Sequence, residues 1–335
     1  MHMADALVAP AVAAAMYACS AAAAGCSMKK VRLEADSRKI PEMGVMGAFV
    51  FAAQMINFTI PGTGSSGHLC GGVLLTAILG PYAGFLAMVG VLLIQCLMFA
   101  DGGLLALGCN IWNMAFYGCF IGGFLIWKQI MKKGVTKGKI MGASVLACVL
   151  TLQMGAFSVV AETFASGITE LPFRAFAGVM QPIHLAIGLV EGVITAAVLV
   201  FIYEARPELI WTGRDGTEHA GKEGRLSFKK TLAVIGAAAA VIAGGFSLYA
   251  SAFPDGLEWS IEKVAGGSGP SASGSIYAFF EKVQSMTAVL PDYAFKGSES
   301  AAGTTVSGLL GGAVVILLCV LACYVLKFFG KKRHE

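Results

Sequence analysis

The chain has 335 residues, 57% of them hydrophobic and only 13% charged, with a mean hydropathy of +0.75. A soluble domain carries about 25% charged residues, so a water-soluble globule is excluded and an all-α polytopic membrane protein is expected. The net charge of +4 does not point to a nucleic-acid partner, because the basic residues lie in short segments between apolar runs.

In chain order, Met1-His2 opens the sequence, and no leader is expected before it. A signal peptide would begin with basic residues, whereas Met1 to Asp5 holds one acid and neither Lys nor Arg. Residues 7–28 predict a first helix. Its Ala11, Ala15, Ala18 and Ala22 recur at three- and four-residue spacing, a face on which another helix could dock. Further apolar segments run roughly 43–60, 69–80, 82–100, 104–127, 140–161, 180–203, 231–253 and 305–329. Leu69 to Ala100 carries no charge and would be about 48 Å long as one helix, too long for a hydrocarbon core of about 30 Å. Gly80-Pro81 is a natural break, which gives two short helices there and about nine crossings in all.

Charge asymmetry orients these helices. Basic residues follow the first helix (Lys29, Lys30, Arg32, Arg38, Lys39), the fifth (Lys128 to Lys139) and the seventh (Arg206 to Lys230), and they close the chain (Lys327 to Arg333). Of the 24, only Arg174, Lys263, Lys282 and Lys296 lie elsewhere. The expected topology is therefore multi-pass in the cell's inner (plasma) membrane, with the N-terminus external and the C-terminus cytoplasmic. Residues 1–205 form a seven-helix body, 206–230 a basic cytoplasmic linker, and 231–335 a two-helix appendage with an external loop at 254–304. That loop offers only carboxylates as ligands, and is expected to cover or adjust the mouth of a pocket rather than bind metal tightly.

Two histidines share the external side. Met1-His2 offers the α-amine, the deprotonated amide of His2 and its imidazole in one arc, and His68 could add a fourth nitrogen from the loop Gly62–His68. Four nitrogens in a plane suit Ni(II), and also Cu(II). The same loop departs from the G-x-x-x-x-G-K-[ST] phosphate pattern, with His68 in place of the lysine, so a nucleotide site is rejected. His184 and Glu191, two turns apart on one helix face, are ionisable groups inside an apolar segment and functional candidates for that reason. His219 and His334 fall in cytoplasmic segments and are expected to be bystanders. The nine cysteines form no Cys-x-x-Cys and read as small core residues.

Met-His-Met-x-Asp-Ala-Leu at the start, Gly-Ser-x-x-His at 64–68 and Pro-Ile-His-Leu-x-Ile-Gly-Leu-x-Glu at 182–191 together resemble the CbiM/NikM family. These are the substrate-capture (S) subunits of energy-coupling factor transporters for nickel and cobalt. Pro254-Asp255-Gly256-Leu257-Glu258, Pro291-Asp292-Tyr293 and a glycine-rich last helix resemble the NikN/CbiN-like component, fused here to the C-terminus. The resemblance implies a metal held by Met1, His2 and His68, with Ni(II) or Co(II) as transported substrate. It also implies a transmembrane coupling (T) subunit and two ATPase subunits as partners, with membrane lipid around the chain. Around His68 many members read Ser-x-Ser-His-Pro-Thr-Gly, whereas this chain has Leu69-Cys70-Gly71 after the histidine. The expected function is metal capture for an ATP-driven importer, not an enzyme, since the chain has no Walker lysine. An intramembrane metal-dependent hydrolase using His2, His68, His184 and Glu191 is the alternative, but it lacks a His-Glu-x-x-His cluster. A metal sensor would need a cytoplasmic signalling domain larger than the linker or the tail.

Overall fold

The computed structural model describes residues 1–31, 38–213, 225–266, 269–298 and 300–331. Arg32, Arg214, Lys222, Lys332, Arg333, His219, His334 and Glu299 lie outside the described residues. The helices are α1 (Pro10–Lys30), α2 (Lys39–Gln54), α3 (Gly72–Leu79), α4 (Pro81–Phe99), α5 (Leu107–Met131), α6 (Lys137–Ser166), α7 (Phe173–Ala205), α8 (Phe228–Gly244), α9 (Gly256–Ala265), α10 (Ser275–Thr287) and α11 (Ala301–Lys331). Between α2 and α3 a small antiparallel hairpin pairs β1 (Phe58–Ile60) with β2 (Ser65–Gly67). Among the described residues, six helices, α1, α4, α5, α6, α7 and α11, are long and apolar enough to cross a membrane.

The uncharged stretch 69–100 breaks where its sequence predicts. Gly80 adopts φ 80°, ψ 164°, and Pro81 opens α4, where its missing N–H is no loss. With eight residues, α3 is about 12 Å long, and all eight are buried. Trp211 closes over the break: its backbone N–H donates to the Ala77 carbonyl at 2.8 Å, and its own carbonyl accepts from the Trp127 indole at 2.8 Å.

Small residues bring the appendage onto the body. A Cβ at Gly311 would lie 2.2 Å from Phe51 Cζ, one at Gly47 3.1 Å from Val315 Cγ1, and one at Gly308 2.4 Å from the Ala243 carbonyl oxygen. Thus glycines let α11 pack tightly against side chains of α2 and meet α8 nearly backbone to backbone at Ala243, and dispersion over that close approach holds helices together in lipid. The first helix behaves differently. Tyr17 and Ser20 donate to the Leu104 and Gly108 carbonyls at 2.5 and 2.8 Å, while Ala11, Ala15, Ala18 and Ala22 stay exposed.

Gly71 fixes the loop that carries His68. It sits at φ 80°, and a Cβ there would come 2.3 Å from Val50 Cγ1, while its N–H donates to Glu191 Oε1 at 2.9 Å. Gly71→Ala is therefore both strained and overpacked, and is expected to destabilise the protein by about 2 kcal/mol. Denaturant unfolding in detergent would read this, and an unchanged midpoint would show that the backbone at 71 has another conformation.

Candidate metal site

The first eight residues are threaded into the body. Met1, Met3, Leu7 and Val8 are buried, and backbone bonds lock them there. The Met3 N–H donates to Asn110 Oδ1 at 2.7 Å, and the Met3 carbonyl accepts from Asn110 Nδ2 at 3.1 Å and from the Gly103 N–H at 2.9 Å. Asp5 Oδ1 accepts from the Ala106 N–H at 2.9 Å, and Asn113 reaches the Met3 sulfur at 3.6 Å. Close approach is again needed: a Cβ at Gly155 would fall 3.0 Å from Met1 Cε.

This arm meets the loop after β2. The Met1 nitrogen lies 3.1 Å from His68 Nε2. His68 Nδ1 is 3.0 Å from its neighbour's carbonyl, that of Leu69, which places the ring proton on Nδ1 and leaves the Nε2 lone pair facing Met1. The His2 and His68 rings are 5.3 Å apart between centroids. The His2 side chain is 7% exposed, its Nδ1 is 3.6 Å from Asp101 Oδ1, and its Nε2 is buried without a hydrogen-bond partner. Three of the nitrogens singled out in the sequence are thus gathered in one place: the amine and the two imidazoles.

Two carboxylates that sequence reasoning assigned no part in the site lie beside them. Asp255 Oδ2 is 2.5 Å from the Met1 nitrogen and 3.9 Å from His68 Nε2. Asp101, beside His2, accepts a bond from the Tyr293 hydroxyl at 2.5 Å. Both appendage motifs, Pro254-Asp255-Gly256 and Pro291-Asp292-Tyr293, therefore reach the site, one from each side. Tyr293 is held in place by stacking on Phe99, centroids 4.7 Å apart and planes 14° apart. It stands at φ 59° next to Asp292 at φ 51°, a costly conformation for two residues without glycine's freedom. The chamber outside the histidines, about 700 Å³, is lined by His2, Asp5, Asp101, Asp255, Glu258 and Glu281 among others.

Burial sets the protonation of these groups. It pushes both His2 and His68 down to about 3, with the positive Met1 amine adding to the effect. Both imidazoles are therefore neutral and hold free lone pairs at physiological pH. Burial also disfavours charge on the amine, but the Asp255 carboxylate against it reverses the balance and the amine ends above its usual value. Burial disfavours charge on Asp255 too, yet the positive Met1 amine against it holds the carboxyl well below the usual carboxylate range.

His184 and Glu191 sit behind this cluster. His184 Nδ1 is 2.8 Å from the Met180 carbonyl, within its own helix, and its ring would lie 3.0 Å from a Cβ placed on Gly256. Glu191 is occupied by the Gly71 N–H, with Oε2 unpartnered. Cys70, His184, Met1 and His68 share the wall of one small void. Among the described residues, no three His, Cys, Asp or Glu side chains converge as a metal-holding group.

Comparison with known proteins fits this arrangement. Residues 2–209 match the family described as the cobalt uptake substrate-specific transmembrane region (CbiM), and residues 229–328 match the PDGLE domain. A chain of Archaeoglobus fulgidus named for fused nickel transport (NikMN) is 34% identical over 95% of this chain and 96% of its own length. The fused nickel transport protein NikMN of Rhodobacter capsulatus is 28% identical over 94% and 95%. The crystal structure of a truncated transition metal transporter superposes with a TM-score of 0.54 at 29% identity, covering 61% of this chain and 99% of that one.

Proposed function

From the premise that this chain belongs to the CbiM family and carries a fused PDGLE domain, and is therefore an integral membrane protein of nickel and cobalt transport, we propose that it is the metal-capturing subunit of an ATP-driven importer. In this reading Ni(II) or Co(II) arrives from the external face and is held by the Met1 amine, the His2 amide and imidazole, and the His68 imidazole. The observation that carries it is the 3.1 Å between the Met1 nitrogen and His68 Nε2, two donors 67 residues apart in sequence and close to the spacing of adjacent ligands on one ion. Residues 1–205 form the metal-binding membrane domain, 206–230 a cytoplasmic linker and 231–335 the appendage. The N-terminus is external and the C-terminus cytoplasmic. Energy comes from two ATPase subunits joined through a coupling subunit, for which the exposed alanine face of α1 is a suitable docking surface. Metal content of the purified protein before and after dialysis against nickel or cobalt tests capture. Uptake with and without co-expressed ATPases tests the importer. The geometry does not favour the hydrolase reading, since Glu191 gives one oxygen to the Gly71 N–H and sits behind the histidine cluster rather than in it.

The protonation pattern gives a further expected outcome. Both imidazoles titrate near 3 in the fold, against about 6.5 when unfolded. Their depressed values therefore cost no stability above about pH 6.5, and a growing amount as pH falls toward 3. Competition for metal near neutrality comes instead from the amine and the amide, each of which must lose a proton to bind. Binding at pH 7 is expected to release about two protons per metal and to weaken steeply in acid. Calorimetry in buffers of differing ionisation enthalpy counts those protons, and a count of zero would remove both backbone nitrogens from the donor set.

A further inference from the structure

Asp255 belongs to the appendage, 254 residues from the amine it touches. Its two oxygens have separate tasks. Oδ1 accepts from the Leu257 and Glu258 N–H groups at 2.8 and 2.9 Å, and Glu258 returns a bond to the Asp255 N–H at 3.2 Å. That reciprocal cap fixes the side chain on the first turn of α9. Oδ2 is left to face Met1.

The turn itself is clamped onto the His68 loop. The Ser66 N–H donates to the Pro254 carbonyl at 2.8 Å, the Ser66 hydroxyl to the Phe253 carbonyl at 2.8 Å, and the Trp259 indole to the Thr63 carbonyl at 3.1 Å. Neither strand of this clamp tolerates a side chain toward α7. A Cβ at Gly256 would lie 2.8 Å from Ile187 Cδ1 and 3.0 Å from His184 Cε1, and one at Gly67 2.6 Å from Ile187 Cγ1. The loop with His68 and the turn with Asp255 therefore form one unit, seated on the same helix residue.

Charge explains why a carboxylate belongs there. Without metal, the site contains one ammonium group. A divalent ion held by an amine, a deprotonated amide and two neutral imidazoles also leaves one net positive charge. A buried charge whose partner is removed is far more costly than the buried pair. Asp255, 15% exposed, offers the matching negative charge in both states.

We propose that Asp255 is a positioning residue of the metal site and its counter-charge: it holds the Met1 nitrogen beside His68 and balances the divalent cation, so the site is complete only with the appendage docked. This rests on the four-nitrogen reading above, and it gives the appendage a part in binding beyond covering the mouth.

The test uses the full chain with its native start. Asp255→Asn keeps an oxygen for the cap and removes the charge, and Asp255→Ser does the same with a smaller group should the first not fold. Ni(II) affinity is read by competition with a chromophoric chelator, with His68→Ala in parallel. In metal-free protein, reactivity of the Met1 amine toward a small acylating reagent is read by mass spectrometry. The expected result is a tenfold or greater loss of affinity, about 1.4 kcal/mol, together with a clear rise in amine reactivity. Wild-type affinity in the Asp255 variants while His68→Ala loses binding would overturn the role of Asp255 and leave the four-nitrogen site standing. Lost affinity with unchanged amine reactivity would also overturn it, since the amine was then not held by Asp255. Wild-type affinity in all variants, His68→Ala included, would overturn the four-nitrogen reading and this proposal with it.

Discussion

Replacing His68 by alanine is expected to abolish tight nickel binding, and His2→Ala is expected to do the same. Each removes an imidazole that burial keeps neutral near physiological pH, and each leaves the proposed set one nitrogen short. A planar four-nitrogen set loses a whole ligand in either variant, so a loss of two or more orders of magnitude in affinity, roughly 3 kcal/mol or more, is the expected scale. His219→Ala and His334→Ala are expected to bind as the parent does. Equilibrium dialysis or chelator competition on the purified proteins decides it. Retention of wild-type affinity by His68→Ala would sink the four-nitrogen site.

A comparably large loss is expected from a change that alters no side chain. One extra residue before Met1, or acetylation of its amine, moves or removes the nitrogen that lies 3.1 Å from His68 Nε2. The five-membered ring between amine and amide cannot then close on the metal. The arm has no slack with which to compensate, because Met3 is bonded through both its N–H and its carbonyl. An extra residue would also have to fit beside Gly155, where a Cβ would already lie 3.0 Å from Met1 Cε. Native-start and extended proteins compared by the same competition assay make the measurement, with mass spectrometry confirming each terminus. Equal affinity would show that the amine is not a ligand.

Much of this architecture is legible in the residues because lipid imposes simple demands. A run of about 20 apolar residues announces a crossing, and Gly80-Pro81 announces a break. His2 and His68 can be paired from sequence because the charge asymmetry predicts both on the same side of the membrane and both belong to motifs with a family resemblance. Asp255 is harder to read. Asp-x-x-Glu before an apolar turn gives away the helix cap, but a capping carboxylate has a second oxygen, and no local pattern says where that points. Asp101 and Tyr293 are hidden for the same reason, their contact spanning 192 residues. His184 and Glu191 show the converse. Ionisable residues in an apolar helix draw the eye, yet one is turned toward the Met180 carbonyl and the other toward the Gly71 N–H. Groups bonded to backbone can serve the shape of a site without touching its cargo.

The span between Met1 and Asp255 also sets an order of events during synthesis. Ribosomes make the amine first and its partner carboxylate 254 residues later, after the whole of helices α1 to α8 has been made. For most of its manufacture the growing polypeptide therefore carries the Met1 amine without the carboxylate that pairs with it. On the role proposed for Asp255, a half-made chain is a poor scavenger of metal, and competence arrives late, when the PDGLE turn closes onto the hairpin.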